Sequence, residues 1–321
     1  FEDDAFSRSV YAGTRASLEA LNAAAAPEVL FDIVFDSGNE AGAEIFYPED
    51  ADPADEFDAF ISQMLEHINL DQNMVIIGGG HAADGIKFTH FTNCAKCETT
   101  RTTLLSGRYH TEVKGNSKSL ITIPENLALG GYQNFMVGKW HIFDQPLTRG
   151  FEHYFGFLEG ATNFFTGEGT NGGFSYKLEN EDYKIPEEFY STDAFTDYAI
   201  KFIDERDHKK PFFLYVAYNA PHYPLQAPKE DVMKYRGKYS DGWEALRAKR
   251  YARMKELGII PPDMALSAPE PNVRSWDDLS DEQKDDMDLR MAAYAAMIDR
   301  VDRQVGRLLA KLEEEKLKED T

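Results

Sequence analysis

The chain has 321 residues and carries 56 acidic against 34 basic side chains, which gives a net charge of -22. With 42% hydrophobic and 13% aromatic residues, the composition is typical of a globular protein and excludes a disordered chain. So acidic a surface repels polyanions, which argues against binding to nucleic acid or to an anionic membrane. No apolar run reaches the roughly 20 residues of a membrane helix.

Apolar runs of strand length alternate with helical patterns, as in an α/β protein with a mostly parallel sheet. The predicted strands are 29–35, Met74–Gly78, 134–138 and 211–218. A helix is predicted at 54–68, where apolar residues recur at three- and four-residue spacing. The segment 160–190 is rich in Gly, Asn and Glu, which predicts an irregular loop.

The clearest helix begins after Ser280, which forms a capping-box pattern with Gln283. Its apolar residues alternate in steps of four and three: Met287, Met291, Tyr294, Ile298, Val301, Val305, Leu308 and Leu312. The spacing fits a coiled coil, but the α/β context favours an amphipathic helix laid on a sheet. The Pro-rich segment before it, 257–273, is predicted to be a surface excursion.

Three candidate site residues follow predicted strands, where ligand sites of open α/β sheets gather. Lys139 and His141 come after the strand at 134–138, and His222 comes after the strand at 211–218. A single histidine is more often structural, but a structural histidine has no reason to prefer the ends of strands. These positions therefore predict a site at the carboxyl edge of the sheet.

Adjacent carboxylates stand near the start of the chain, at Asp3 and Asp4. Such a pair is usually only solvated. A hard cation such as calcium or magnesium nevertheless uses oxygen ligands of this kind, because the cation offsets their mutual repulsion.

The stretch NCAKCETTRTTLLSGRYH holds both cysteines, Cys94 and Cys97, in a C-x-x-C arrangement. A redox pair or half of a zinc site fits the spacing, but further ligands at suitable spacing are missing. A helix that starts near Cys97 would instead place Arg101 one turn on, with free backbone N–H groups beside the sulfur. That arrangement predicts an anion site around a nucleophile, with Gly107 ending the helix.

These residues resemble a known family. Cys97, Arg101 and LLSGR resemble the signature of the type I sulfatases, Cys-x-Pro-x-Arg followed by a Leu, Ser or Thr, Gly and Arg run. Further segments are similar to family members in the same order: GIKFTHFTN, GGYQNFMVGKWH, RGFEHYFGF, KPFFLYVAYNAPHYPLQAP, KYRGKYSDGWEALRAKRYARMKELGII and YAAMIDRVDRQVGRLL.

The resemblance implies an alkaline-phosphatase-like α/β fold, with a mostly parallel mixed sheet between helices, and hydrolysis of an aryl or carbohydrate sulfate ester. It implies that a formylglycine-generating enzyme oxidises Cys97 to formylglycine, whose hydrated aldehyde attacks sulfur. It also implies a calcium ion, with magnesium as the alternative, and a periplasmic or secreted location.

The resemblance also implies a role for each residue that matches a family motif. Cys97 would become formylglycine, and Arg101 would hold its diol. Lys139 would bind the sulfate oxygens, His141 would assist sulfate elimination, and His222 would protonate the leaving alcohol. Asp3 and Asp4, with the group at position 97, would hold the metal.

The sequence departs from the family pattern at Thr99, which stands where the signature has proline.

Residues 1–321 are expected to be one catalytic domain, with 13–80 an insertion. The chain is expected to be a fragment without the family's first strand, C-terminal subdomain, Asp-Asn metal ligands and substrate lysine. Two alternatives stay open: a phosphate or phosphonate ester hydrolase with Thr99 or Thr100 as nucleophile, and a non-catalytic fragment.

Overall fold

A computed structural model describes residues 74–78, 96–109, 120–142, 144–169, 176–269 and 273–317. Within these ranges six strands form one mixed sheet in the order β1-β6-β2-β3-β4-β5. The strands are β1 (Met74–Gly78), β2 (Gln133–Lys139), β3 (His153–Phe157), β4 (Tyr176–Leu178), β5 (Glu181–Asp182) and β6 (Phe212–Ala217). The α/β fold class is therefore confirmed.

The four strands β1, β6, β2 and β3 run parallel, so their carboxyl ends meet at one edge of the sheet. In register, Lys139 at the end of β2 lies opposite Phe157 at the end of β3. The strands predicted at Met74–Gly78, 134–138 and 211–218 are confirmed within a residue at each end. The predictions at 29–35 and 54–68, and most of the insertion predicted at 13–80, lie outside the described residues.

Helices cover both faces of the sheet. They are α1 (Cys97–Ser106), α2 (Ile123–Leu129), α3 (Ser191–Glu205), α4 (Lys229–Met233), α5 (Trp243–Glu256) and α6 (Asp281–Glu314). Alternate residues of β6 point to opposite faces, as pleating requires: Leu214 packs in the core with α3 and α6, whereas Tyr215 packs in the core with α1 and α2. Strand β6 is thus buried on both sides, which explains why it is apolar throughout.

The prediction of an irregular loop over 160–190 is wrong in part, because β4 and β5 form an antiparallel pair added to β3. These strands are short and contain lysine, glutamate and aspartate, so their sequence lacks a strand pattern. Their pairing comes from the free edge of β3, and Tyr176 anchors them because it is fully buried in the core.

Helix α6 has the predicted capping box, in which the Ser280 hydroxyl accepts from the Gln283 N–H. The helix packs against α3 and α4 of the same chain, and its apolar face joins the core that contains Leu214, so the amphipathic interpretation is confirmed. The predicted face is wrong at Tyr294 and Ile298, which are exposed. A 3.6-residue helix drifts away from a strict seven-residue pattern, so Ala292, Ala296 and Met297 are buried there instead.

A polar cluster joins α6 to α3 and α4. Asp231 in α4 is 1% exposed and forms salt bridges with Lys234, Arg300 and Arg303. Arg300 also pairs with Asp193 in α3. Burial alone raises the pKa of Asp231, but the hydrogen bonds from Lys234 and Arg303 outweigh it and lower the pKa.

Segment 257–273 between α5 and α6 is the predicted surface excursion, since almost all its described residues are exposed. Helix α5 itself has no buried residue. Among the described residues, no helix is both long enough and apolar enough to cross a membrane.

Candidate active site

The site is built at the carboxyl end of β2. Gly138, the residue before Lys139, has φ 103°, and a Cβ there would overlap the carbonyl oxygen of Ala217 on β6. Only glycine fits this close approach. The strand continues into Lys139, which is 2% exposed, and its Nζ donates to the carbonyl of Gly160 at 2.5 Å.

His141 follows two residues later and has φ 49°, in the left-handed region that non-glycine residues rarely adopt. Such strain is typical of functional sites, where the surrounding structure holds it in place. The ring turns toward α1, and its Nδ1 lies 3.1 Å from the Sγ of Cys97.

Helix α1 begins at Cys97, as predicted, and ends at Gly107, which has φ 67° and donates its N–H to the Thr103 carbonyl at 2.9 Å. Cys97 is half-buried. As the first helical residue, it lies where backbone N–H groups have no partner within the helix. The predicted helix start is therefore confirmed. It places the Cys97 side chain, a potential nucleophile, beside the backbone N–H groups of the first helical turn.

Arg101 lies one helical turn beyond Cys97. Its Nη1 donates to the carbonyl of Lys139 at 2.5 Å and to the hydroxyl of Tyr215 at 3.3 Å. Within the described ranges no hydrogen bond joins Arg101 to the Cys97 sulfur, so in this structure the guanidinium fastens α1 to the ends of β2 and β6.

The site is electropositive. Burial, followed by repulsion from Arg101, lowers the pKa of Lys139, and Cys97 offsets part of that effect. Burial also lowers the pKa of His141, and the Lys139 ammonium adds to it. In the described part of the chain, no carboxylate forms a salt bridge with Lys139. Two cations, a neutral imidazole and a sulfur atom therefore share one small site.

His222 does not join this group in the structure. It is exposed, and its Nδ1 lies 2.6 Å from the carbonyl oxygen of Tyr223, so that nitrogen is the donor. Across the described segments, no hydrogen bond connects His222 with Cys97, Lys139 or His141. The parallel strands β2 and β6 are neighbours, so the loop with His222 starts at the same edge of the sheet.

The predicted metal ligands Asp3 and Asp4 lie outside the described residues, as does Cys94. The described residues contain no group of three or more His, Cys, Asp and Glu side chains placed to hold a metal ion. Around Cys97 the neighbours named above are basic, which does not fit a calcium ion without carboxylates from elsewhere.

Thr99 is the third residue of α1, and its hydroxyl donates to the carbonyl of Lys96 at 2.8 Å. This bond is within the first helical turn, at the position where the signature has proline. Proline is tolerated there because the N–H of an early helical residue has no partner within the helix. The exchange therefore preserves the start of α1.

Two residues of the site are not apparent from the sequence. Tyr215 occupies an apolar strand and has the pattern of a core residue, yet its hydroxyl receives Arg101. Gly160 lies in a glycine-rich stretch and shows no motif, yet its carbonyl accepts from Lys139, and a Cβ on it would meet the His141 ring. A buried tyrosine next to a strand end was the one available signal, since a buried hydroxyl needs a partner.

Comparison with known proteins assigns the chain to a family. A model of the sulfatase family matches residues 70–321, which is more than half of the chain. The chain belongs to the sulfatase family. The match begins close to β1 and includes every described element.

Two curated relatives of this sulfatase-family chain support the assignment. An uncharacterised sulfatase of Schizosaccharomyces pombe is 33% identical over 267 residues, covering 71% of this chain and 48% of the relative. An arylsulfatase of Klebsiella aerogenes is 35% identical over 202 residues, covering 60% of this chain and 43% of the relative. The chain thus spans about half the length of these curated relatives.

A solved structure shows the same fold. The Bacteroides fragilis protein yidJ, assigned as a sulfatase, superposes with a TM-score of 0.52 at 19% identity, covering 78% of this chain and 60% of that one. The alkaline-phosphatase-like architecture implied by the sequence resemblance is thereby confirmed.

Proposed function

We propose that this chain hydrolyses a sulfate ester, with position 97 as the nucleophile. The observation that carries the proposal is Lys139: a buried ammonium beside Cys97, with no carboxylate in salt-bridge contact anywhere in the described ranges. Burying a cation without a carboxylate partner is costly, so the described part of the site favours a bound anion. A sulfate group at this point supplies it.

The other residues of the site divide the remaining tasks. His141 is kept neutral by its lowered pKa, so its Nδ1 accepts a proton from the group at position 97 across the 3.1 Å contact. Arg101 fixes the end of β2 and, with Lys139, stabilises negative charge that develops on the sulfate oxygens.

Formylglycine made from Cys97 by a formylglycine-generating enzyme would supply a hydrated aldehyde hydroxyl for attack on sulfur. His222 would protonate the departing alcohol from Nε2, which requires the imidazolium form because the Nδ1–H is engaged by the Tyr223 carbonyl. Calcium held by Asp3, Asp4 and the group at position 97 stays a prediction.

The proposed substrate is an aryl or carbohydrate sulfate. The similarity to an arylsulfatase supports the aryl form, and the family membership supports sulfate esters as a class. The family resemblance also implies a periplasmic or secreted location, which fractionation of the source cells tests.

The test is to produce the chain together with a formylglycine-generating enzyme and to analyse the tryptic peptide CETTR, residues 97–101, by mass spectrometry. The expected result is a peptide carrying the aldehyde and an enzyme that cleaves a chromogenic aryl sulfate. An unmodified thiol in every preparation rejects the formylglycine step.

Matched sulfate and phosphate esters of one phenol separate the candidate activities. Cys97→Ala is the control, because it removes the nucleophile and keeps α1. Cleavage of the phosphate ester alone rejects the sulfatase proposal, and cleavage that survives Cys97→Ala rejects position 97 as the nucleophile.

A further inference from the structure

Gly160 lies next to two residues of the site, Lys139 and His141. It lies three residues after β3, and its carbonyl oxygen accepts from Lys139 Nζ at 2.5 Å. The N–H of Trp140 donates to Phe157 at 2.9 Å, which ties the end of β3 to the residue between Lys139 and His141. The loop after β3 is therefore held over the end of β2.

The same residue leaves room for the His141 ring. A Cβ on Gly160 would lie 2.9 Å from Cε1 of His141, closer than real Cβ atoms approach other heavy atoms, and 3.0 Å from Nε2, which is unusually tight. The Gly160 backbone does not lie in the left-handed region that favours glycine. The observed position of the His141 ring, and not the backbone conformation, therefore favours glycine here.

We propose that Gly160 is a positioning residue of the site: its carbonyl holds the Lys139 ammonium, and its missing side chain lets the His141 imidazole reach Cys97. A reaction that needs a proton acceptor at 3.1 Å from position 97 depends on this fit. The consequence for turnover rests on the proposed function, but the placement of the His141 ring does not.

The two contacts of Gly160 are separable by one substitution. Gly160→Ala keeps the carbonyl that receives Lys139, and its new methyl group meets only the His141 ring among the nearest atoms. The ring belongs to a side chain, so it moves away while the backbone stays. The variant therefore perturbs His141 and spares Lys139.

The experiment measures the nuclear Overhauser effect between the Hα of residue 160 and the His141 Hε1 by NMR on the full chain, with His141→Gln to assign the Hε1 signal. The parent chain is expected to show this effect, and Gly160→Ala is expected to weaken it, because the new methyl group displaces the His141 ring. Turnover of an aryl sulfate is expected to fall by up to about 100-fold with little change in KM. Gly306→Ala is the matched control, since a Cβ there meets nothing within 4 Å.

A nuclear Overhauser effect in Gly160→Ala as strong as in the parent overturns the proposal, whatever the activity. If the parent chain cleaves no sulfate ester, the proposed function fails while the nuclear Overhauser effect still decides the role of Gly160. If Gly160→Ala does not fold, the parent chain provides the test. A nuclear Overhauser effect between the Gly160 Hα and the His141 Hε1 is then expected, and its absence overturns the placement.

Discussion

Replacing Lys139 by methionine should affect activity and the free energy of unfolding differently. The loss of a buried hydrogen bond usually lowers the free energy of unfolding. Here the lost group is a cation that is 2% exposed and has no salt bridge to a carboxylate in the described ranges. Methionine keeps the apolar stem, so Lys139→Met removes little except the charge, the hydrogen bond to Gly160 and the interaction with Cys97.

Lys139→Met should lower activity but should not lower stability. In the proposed complex Lys139 pairs with the sulfate group of the substrate. Truncating one partner of a buried charge pair costs about 2–5 kcal/mol, so kcat/KM for a sulfate ester should fall by about 30- to 5,000-fold. Burying one ion costs several kcal/mol, whereas the half-buried Gly160 carbonyl loses a donor at a cost of about 1–3 kcal/mol. The free energy of unfolding of Lys139→Met should therefore equal or exceed that of the parent.

The gain in stability has a defined pH dependence. The folded-state pKa of Lys139 is lowered, so the parent pays the full penalty below that pKa, and the penalty shrinks as the pH rises toward the ordinary value of 10.5. The difference in unfolding free energy between Lys139→Met and the parent should be largest near neutral pH and should vanish above 10.5.

The assays are hydrolysis of an aryl sulfate, urea unfolding at several pH values, and the rise in melting temperature on adding inorganic sulfate. Lys201→Met is the matched control, because Lys201 is 48% exposed on α3 and should leave all three unchanged. Full activity in Lys139→Met, or a sulfate-induced rise equal to that of the parent, refutes the role of Lys139 as the anion's counter-charge. A large loss of stability refutes the reasoning on burial.

Three further predictions concern other parts of the structure. The acid limb of kcat/KM should have its midpoint below 6.5, because His141 must be neutral and its pKa is lowered; a midpoint above 6.5 contradicts this. Asp231→Asn should lower the free energy of unfolding in urea by about 3 kcal/mol, because it leaves three basic side chains without their buried partner. This difference from the parent should disappear as the pH falls through the lowered pKa of Asp231, and a difference that does not change with pH contradicts the ion-pair explanation. Gly138→Ala should destabilise the chain by more than about 4 kcal/mol in circular dichroism melts, because its Cβ overlaps the Ala217 carbonyl; a near-parental melting temperature shows that the strands separate easily.

Much of the fold is legible in the sequence because the central strands are buried on both faces. A continuous apolar run such as Phe212–Ala217 has apolar side chains on both faces of the strand, and both faces are buried only when helices cover the two sides of the sheet. The start of α1 is equally legible, because Cys97, Arg101 and Gly107 mark its first turn, second turn and end. Strand ends supplied Lys139 and His141, since parallel strands bring their carboxyl ends together.

The tertiary structure decided what local pattern does not contain. The β4–β5 hairpin exists because β3 offers a free edge, and the buried face of α6 shifts because a straight helix drifts from a seven-residue repeat. Tyr215 and Gly160 enter the site for a similar reason. They are distant from α1 in sequence, and only the packing of one helix and one loop on the end of β2 brings them within hydrogen-bond distance of Arg101 and Lys139.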